Sequence, residues 1–255
     1  PLAPFANPGG VPVFASPDPK GFCPEYLDDL EVSRCPSDLN ADASGQYVKD
    51  RIPDGGTIEE HIEVAKGRGD SMSVRYFYAA ALGRSYWYHG YAMINIEEFY
   101  GVWNATGTQP VLGAVSPVGV QPVVMPVSVK DWTKDLLLTS KLPWTAILGC
   151  GYAGSQMVAR LREGIERFAI TDINNPAAGA KAQSEVVVMF DVFGNPTDAD
   201  RTAGGIVFNH TPGGCNVLYM DGHVRFVRYK TDFPILEDAE NGCGLPRQVG
   251  QYGLG

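Results

Sequence analysis

Length, composition and charge exclude several classes of protein before any motif is considered. The chain has 255 residues, 44% of them hydrophobic and 11% aromatic, which is enough for the core of one large domain and excludes general disorder. Its formal net charge is −9, and no cluster of Lys and Arg able to neutralise phosphates occurs. We therefore expect neither nucleic acid nor an anionic membrane surface as a partner. The 30 Gly and 19 Pro predict a loop-rich chain, not a helical bundle.

The sequence offers no candidate for a membrane-spanning or signal segment. No apolar run approaches the roughly 18 to 20 residues that a membrane span requires. Residues 1–4 have neither the basic nor the apolar region of a signal peptide. We expect no membrane contact by this chain.

The N-terminal quarter is predicted to contain an arm and two short helices. Residues 1–22 are rich in Pro and Gly and lack periodicity, which is typical of an extended arm. A short helix is expected over residues 25–32. Thr57 and Glu60 match a capping box, in which each side chain accepts a hydrogen bond from the other residue's backbone N–H, so a second helix is expected over residues 57–66.

The middle of the chain combines aromatic strands with an apolar insertion. Alternating side chains predict strands over residues 73–79 and 85–94. Asn95 can serve as the N-cap of a helix over residues 95–102. Residues 107–129 contain four prolines and no charged residue, which excludes a helix and a central strand. We expect this insertion to be either a packed surface loop or a contact between subunits.

The C-terminal half is predicted to be one helix followed by an antiparallel sheet. Residues 155–169 place apolar side chains on one helical stripe, which favours an amphipathic helix. Strands are expected over residues 186–190 and 205–208. The Gly-rich residues 231–255 are expected to form a tail.

Two β-rich runs around the dipeptide Asp221-Gly222 predict a C-terminal hairpin. Residues 216–220 and 223–229 are expected to pair around a two-residue type I′ turn, because both central positions of that turn require positive φ. This register places Met220 opposite His223. The core face of the hairpin would then carry Val217, Tyr219, Val224 and Phe226.

The hairpin segment also contains a distinctive sequence motif, which consists of a histidine, a pair of glycines and an Asp-Gly dipeptide. It resembles the C-terminal signature of the prepilin-type, processing-associated proteins, a family of type IV pilin and pseudopilin relatives abundant in planctomycetes and neighbouring bacteria. The spacing from His to Asp is one residue longer than the family's commonest. Three further segments, residues 24–38, 85–92 and 164–176, resemble the same family in the same order. The signature residues are His210, Gly213, Gly214, Asp221 and Gly222.

The resemblance implies a fold, a location and a function. It implies an α+β, pilin-like globular domain over residues 23–230, with an antiparallel C-terminal sheet, a few helices and long loops. The family's long N-terminal hydrophobic helix is missing from this sequence. We expect a structural subunit of an exported surface filament or secretion-system fibre, extracellular or at the bacterial cell surface. Such a subunit assembles with copies of itself or with other pseudopilins, and it is not an enzyme.

Five cysteines are scattered along the chain. No Cys-x2-Cys or His-x3-His spacing occurs, so the sequence does not predict a metal site built on thiolates. Because the resemblance implies export, disulfides are expected, and Cys23 with Cys35 is the predicted pair. The alternative is a cytosolic protein with five buried, unpaired thiols. The cysteines are Cys23, Cys35, Cys150, Cys215 and Cys243.

One group of polar residues lies at the predicted ends of the C-terminal strands. Asp191, His210 and His223 would converge if neighbouring strands ended on the same side of the sheet. This supports an alternative function, a metal-dependent hydrolase or a carbohydrate-binding module. The competing interpretation is structural: Asp221 suits a turn, His210 bonds the backbone of the glycine loop, and His223 is solvated.

A second group is an acidic loop after the predicted strand over residues 186–190. Asp191, Asp198 and Asp200 offer carboxylate oxygens at short spacing, which suits calcium, although the loop lacks the EF-hand pattern. Major pseudopilins as a class hold calcium in a C-terminal loop, so the resemblance also implies calcium as a cofactor. The alternative is a solvated loop.

Overall fold

The computed structural model of the chain describes residues 16–21, 23–38, 57–95, 136–137, 157–162, 183–194, 207–238 and 243–244. Several predictions fall outside these residues. They are the arm before residue 16, the helix beyond Asn95, the apolar insertion over 107–129, the acidic loop with Asp198 and Asp200, and most of the tail.

The first described α-helix confirms the capping-box prediction. Helix α1 spans Ile58–Gly67. Thr57 Oγ1 accepts from the backbone N–H of Glu60 at 3.2 Å, and Glu60 Oε2 accepts from the backbone N–H of Thr57 at 2.9 Å. Both N–H groups would otherwise lack a partner, because a helix cannot bond its own first-turn donors. The helix buries Ile58, Ile62 and Ala65.

The second helix overturns a strand prediction. Residues 73–79 lie inside helix α2, Ser71–Leu82, and the predicted strand there is wrong. Asp70 caps the helix, since its Oδ1 accepts from the backbone N–H of Ser73 at 3.0 Å. Ser73, Phe77 and Ala81, four residues apart, are almost completely buried, which is the period of a helix and not of a strand. Aromatic content had favoured a strand, but a capping Asp and an alanine-rich second half favour the helix.

The short helix predicted over residues 25–32 is also wrong in kind and position. Two 3-10 helices occur here, Pro19–Gly21 and Leu30–Ser33. The hydroxyl of Ser33 donates to the carbonyl of Ala81 at 2.7 Å and so joins the second 3-10 helix to α2. None of the helices in the described residues is long and apolar enough to cross a membrane.

The strands build one larger antiparallel sheet and three short ladders. In chain order the strands are β1 (Tyr86–Met93), β2 (Leu136–Leu137), β3 (Met157–Val158), β4 (Val187–Asp191), β5 (Phe193–Gly194), β6 (Val207–Phe208), β7 (Gly214–Tyr219), β8 (Val224–Arg228), β9 (Glu237–Asp238) and β10 (Cys243–Gly244). The four-stranded sheet has the strand order β1, β4, β7, β8. The short ladders pair β2 with β3, β5 with β6, and β9 with β10. The predicted α+β organisation and the predicted antiparallel C-terminal sheet are present.

The amphipathic helix predicted over residues 155–169 is wrong for the part described. Its beginning forms β3, and the chain continues along the free edge of β1. Ala92 N–H donates to the carbonyl of Ala159 at 2.8 Å, and Leu161 N–H donates to the carbonyl of Gly90 at 2.9 Å. Pairing with β1 satisfies the backbone donors that a helix would have satisfied internally. Residues 163–169 lie outside the described chain.

Aromatic rings form a continuous row through the core of the sheet. Trp87 and Phe190, cross-strand partners on β1 and β4, stack with ring centroids 6.0 Å apart. The row continues from Phe190 to Phe193 at 5.8 Å and from Phe193 to Phe208 at 5.8 Å. It ends at Tyr229, 5.2 Å from Phe208. These contacts connect β1, β4, β5, β6 and the end of the hairpin.

The C-terminal hairpin forms, but in a register one residue away from the prediction. Leu218 pairs with Val224 and Asn216 with Phe226. Gly222 N–H donates to the carbonyl of Tyr219 at 2.9 Å, which makes a three-residue loop. Gly222 has φ of +89°, whereas Lys230 is the one non-glycine residue of the described chain with positive φ. The loop therefore needs positive φ at one position, as in a type I turn followed by a glycine bulge, and the predicted type I′ turn is wrong.

The shifted register exchanges the two faces of β8. Val217 and Tyr219 on β7 are buried, as predicted, but their partners are Arg225 and His223. Val224 and Phe226, predicted to be core residues, are 62% and 38% exposed. A one-residue slip moves every side chain of a strand to the opposite face of the sheet.

Three glycine substitutions separate steric from conformational constraints in this fold. We expect Gly214→Ala to be destabilising by about 1 to 3 kcal/mol, because its Cβ would meet the Val227 carbonyl and lie 2.7 Å from the Phe226 ring. Gly222→Ala should cost about 1 kcal/mol through its positive φ alone, since the space around it is open. Gly67→Ala, in open space at ordinary φ, should be neutral or stabilising. Urea unfolding of the three variants measures this order; equal stabilities would contradict it.

The capping box provides a second stability test. We expect Thr57→Ala to lower the free energy of unfolding by about 1 kcal/mol, because the N–H of Glu60 then loses its acceptor. Thr57→Ser keeps the hydroxyl and should remain close to the parent. Thermal melts of both variants test the expectation, which is wrong if Ala and Ser behave alike.

Candidate functional site

The candidate site is centred on Asp191, the last residue of β4. Its carboxylate is almost fully buried, with the residue only 3% exposed. Oδ2 accepts from the backbone N–H of Asn216 at 2.7 Å and from the side-chain amide Nδ2 of the same residue at 2.9 Å. The sheet register creates this contact, because Phe190 pairs with Val217 and so brings the next residue of β4 beside the preceding residue of β7. One carboxylate thus joins two central strands by side-chain as well as backbone contacts.

His210 reaches the same carboxylate from the loop before β7. Its Nε2 lies 2.9 Å from Asp191 Oδ2 and 3.1 Å from Asn216 Nδ2. Gly213 shapes this loop with a φ of +109°, and its N–H donates to the carbonyl of His210 at 3.0 Å. The backbone of His210 forms an isolated β-bridge with Gly214. The turn therefore places the imidazole over the buried carboxylate.

Cys35 completes the cluster from the N-terminal part of the chain. Its Sγ lies 3.5 Å from His210 Nε2, although the two residues are 175 positions apart in sequence. Cys35 is buried, and one ligand-type atom from each of Cys35, Asp191 and His210 lies within 4.8 Å of the other two. Among the described residues this is the group of Cys, His and acidic side chains that is close enough to hold a metal ion. The sequence predicts the convergence of Asp191 and His210 but not the presence of Cys35, because no spacing rule connects residues 175 positions apart.

The electrostatics of the site follow from its burial. Burial raises the pKa of the Asp191 carboxyl above its ordinary value, and the bonds from Asn216 and the nearby His210 offset that effect only in part. Burial also raises the pKa of Tyr86, whose side chain hydrogen-bonds to Cys35, and the charge of Asp191 raises it further. The site therefore gathers acceptor atoms and negative charge in a poorly solvated place.

His223 does not join the cluster. It lies opposite Tyr219 at the far end of β7, about 17 Å along the strand from Gly214 at roughly 3.4 Å per residue. Its Nδ1 lies 2.5 Å from Asp221 Oδ1, and its ring stacks on Tyr219 with centroids 4.4 Å apart. The predicted convergence of Asp191, His210 and His223 is thus wrong for its third member. The first two residues do meet.

The described signature residues each have a structural role in the hairpin. Gly213 and Gly222 have positive φ, and Gly214 leaves room for the Phe226 ring. Asp221 Oδ1 accepts from the backbone N–H of His223 at 3.1 Å and so closes the turn. That hydrogen bond and the neighbouring imidazole lower the pKa of the exposed Asp221.

The cysteine and calcium predictions have different outcomes. Cys23 and Cys35 are both free, so the predicted disulfide between them is not formed in this structure. Burial raises the pKa of Cys23 to about 11, which makes this thiol a poor nucleophile near neutral pH. The calcium prediction remains a prediction, since Asp198 and Asp200 lie outside the described residues and the carboxylate of Asp191 is engaged with Asn216 and His210.

Two aspartates that contact histidines provide a matched stability test. We expect Asp191→Ala to lower the free energy of unfolding by about 1 to 3 kcal/mol, because the two donors of Asn216 lose a part-buried acceptor. Asp221→Ala should leave it close to the parent value, because water can replace an exposed carboxylate. Chemical unfolding of both variants measures the difference. Equal losses would mean that the buried carboxylate does not support the sheet.

Comparisons with known proteins give no further assignment. No protein-family model matches the chain, and no curated protein or solved structure shows significant similarity to it.

Proposed function

We propose that this chain is the globular subunit of an exported, pilin-like filament or secretion-system fibre and that it works by self-assembly. The observation that carries the proposal is strand β8, which lies at the edge of the four-stranded sheet. The resemblance of the hairpin signature to pilin relatives supports the same function.

Strand β8 exposes apolar side chains at what is, among the described strands, an edge of the sheet. Val224 is 62% exposed and Phe226 38%, and both point away from the buried face that contains Val227. An edge strand presents N–H and C=O groups that can pair with another chain, and exposed apolar side chains next to it favour such pairing. We call Val224, Phe226 and the neighbouring Arg228, which share this side of the strand, the β8 face.

The charge of the β8 face is opposite to that of the whole chain. Arg228 is exposed on a protein with a formal net charge of −9, whereas Arg225 lies on the other side of β8 and pairs with Asp232. Pairing of two β8 strands with each other would bring their arginines together, which is unfavourable. The β8 face therefore suits a different surface of a second copy, one that is apolar and acidic.

Residues 25–32 present such a surface. Tyr26 and Val32 are 78% and 59% exposed. Between and beside them lie exposed acidic residues, which are Glu25, Asp28, Asp29 and Glu31. The segment combines exposed apolar side chains with negative charge, whereas the β8 face combines exposed apolar side chains with positive charge. The two surfaces are therefore complementary in charge.

Contact between two different surfaces has a direct consequence for assembly. When the β8 face of one copy binds residues 25–32 of the next, the first copy keeps its residues 25–32 free and the next keeps its β8 face free. Such a head-to-tail contact produces a ring or an open filament, whereas a self-complementary contact stops at a dimer. The proposed contact therefore accounts for a filament formed from one type of subunit.

Charge reversal tests the contact. We expect Arg228→Glu and Asp28→Lys each to raise the protein concentration needed for assembly at least about tenfold, equivalent to about 1.4 kcal/mol. The double variant should recover assembly, because the pair is again complementary. Sedimentation velocity and negative-stain electron microscopy measure assembly, and circular dichroism checks the fold.

Two results separate the proposed contact from general charge effects. Arg68→Glu changes the charge equally at another exposed position and should leave assembly unaffected. If the parent protein forms only closed dimers, or remains monomeric at all concentrations, filament formation through the β8 face is wrong. If the double variant is no better than either single variant, these two surfaces do not meet.

A further inference from the structure

We propose that Cys35, Asp191 and His210 bind one divalent transition-metal ion, with zinc as the best match. This proposal is independent of filament formation, since the cluster and the β8 face contain different residues. The three ligands come from the segment after the second 3-10 helix, from the end of β4 and from the loop before β7. A bound ion would therefore connect three distant parts of the chain.

The distances suit a shared metal ion. Zinc bonds of about 2.0 to 2.3 Å in a tetrahedral arrangement place neighbouring ligand atoms about 3.3 to 3.8 Å apart. Cys35 Sγ and His210 Nε2 are 3.5 Å apart, within that range. His210 Nε2 and Asp191 Oδ2 are 2.9 Å apart, so an ion between them requires a separation larger by about 0.4 Å. His210 is 22% exposed in its side chain, which leaves one side of the cluster accessible to an entering ion or a water ligand.

The position of the imidazole proton decides whether the contact between His210 and Asp191 is favourable. His210 Nε2 faces an acceptor, Asp191 Oδ2, and a donor, Asn216 Nδ2. With a proton on Nε2 the imidazole donates to Asp191, beside the amide that donates to the same oxygen; with the proton on Nδ1, two lone pairs face each other at 2.9 Å. A cation bound by the nitrogen lone pair and the carboxylate removes the repulsion, while the amide continues to donate to Asp191.

Neighbouring groups support the ligands as an outer shell. The two donors of Asn216 hold the carboxylate in place, as outer-shell partners of metal ligands commonly do. The side chain of Tyr86 hydrogen-bonds to Cys35. Asp38 is also buried and lies near enough to act electrostatically on Asp191. A cation would offset the negative charge gathered here.

The ligand types select the ion. A thiolate and an imidazole with one carboxylate suit zinc and similar borderline metals, whereas calcium takes oxygen ligands. The geometry also argues against a Cys-His-Asp nucleophile, because such a triad uses the two ring nitrogens separately. Here Cys35 and Asp191 both approach Nε2. The arrangement therefore suits three ligands of one metal ion and not a Cys-His-Asp relay.

Metal titration tests the site directly. Reduced, purified protein is titrated with zinc in competition with a chromophoric chelator, and with cobalt(II) as a spectroscopic substitute. We expect one ion per chain, a cobalt–thiolate charge-transfer band, and a rise in melting temperature with zinc, since the ion binds only the folded chain. A parent protein that gives no stoichiometric binding and no charge-transfer band overturns the proposal without reliance on any variant.

The chain offers matched controls for two ligands. Cys35→Ser and His210→Ala each remove a ligand and should weaken zinc binding by more than about 100-fold, which is the largest loss that changes in the outer shell commonly cause. Cys35→Ser should also abolish the charge-transfer band, because that band requires the thiolate. Asn216→Ala should weaken binding about 10- to 100-fold. Cys23→Ser and His223→Ala remove a free thiol and an aspartate-paired imidazole outside the cluster and should bind as the parent does. If these controls lose as much affinity as the cluster variants, the ion binds elsewhere.

Discussion

The contact on which the C-terminal half of this protein depends is the pair of hydrogen bonds from Asn216 to the buried carboxylate of Asp191. Backbone ladders alone allow a strand to slide along its neighbour, because every residue offers the same donor and acceptor. A buried carboxylate does not allow this, because sliding β7 by one residue would leave its lone pairs without donors. The contact therefore specifies how β4 and β7 align. The placement of His210 beside Asp191 follows from that alignment.

Burial of Asp191 also explains why hydrogen-bond donors and ligand-type side chains cluster at the end of β4. A carboxylate in a poorly solvated place has a raised pKa and favours neighbours that can donate or carry positive charge. The protein places two amide donors, an imidazole and a thiol around it. The same constellation that stabilises the sheet thus has the composition of a metal site, and a bound ion would add a link to the N-terminal segment that backbone pairing does not provide.

Strand β8, at the edge of the four-stranded sheet, exposes apolar side chains instead of ligand-type groups. The loop closed by Gly222 gives the hairpin the register in which Val224 and Phe226 leave the core. A two-residue turn would have buried both side chains and exposed Val227 instead. The proposed assembly through the β8 face would thus depend on one extra loop residue. Because the cluster and the β8 face contain different residues, metal binding and assembly can be tested separately.

The sequence by itself determined those features that depend on neighbours along the chain. The capping box at Thr57 and Glu60, the strand beginning at Tyr86, the strand ending at Asp191 and the existence of a C-terminal hairpin were all predictable, because short-range hydrogen bonding and alternation specify them. The tertiary structure decided what depends on partners far away in sequence. Residues 159–161 pair with β1 although their spacing favours a helix, since a free strand edge satisfies the same backbone groups. Cys35 meets His210 through the packing of distant segments. The faces of β8 were decided by a one-residue difference in loop length, which local sequence preference cannot resolve because both turns accept Asp-Gly.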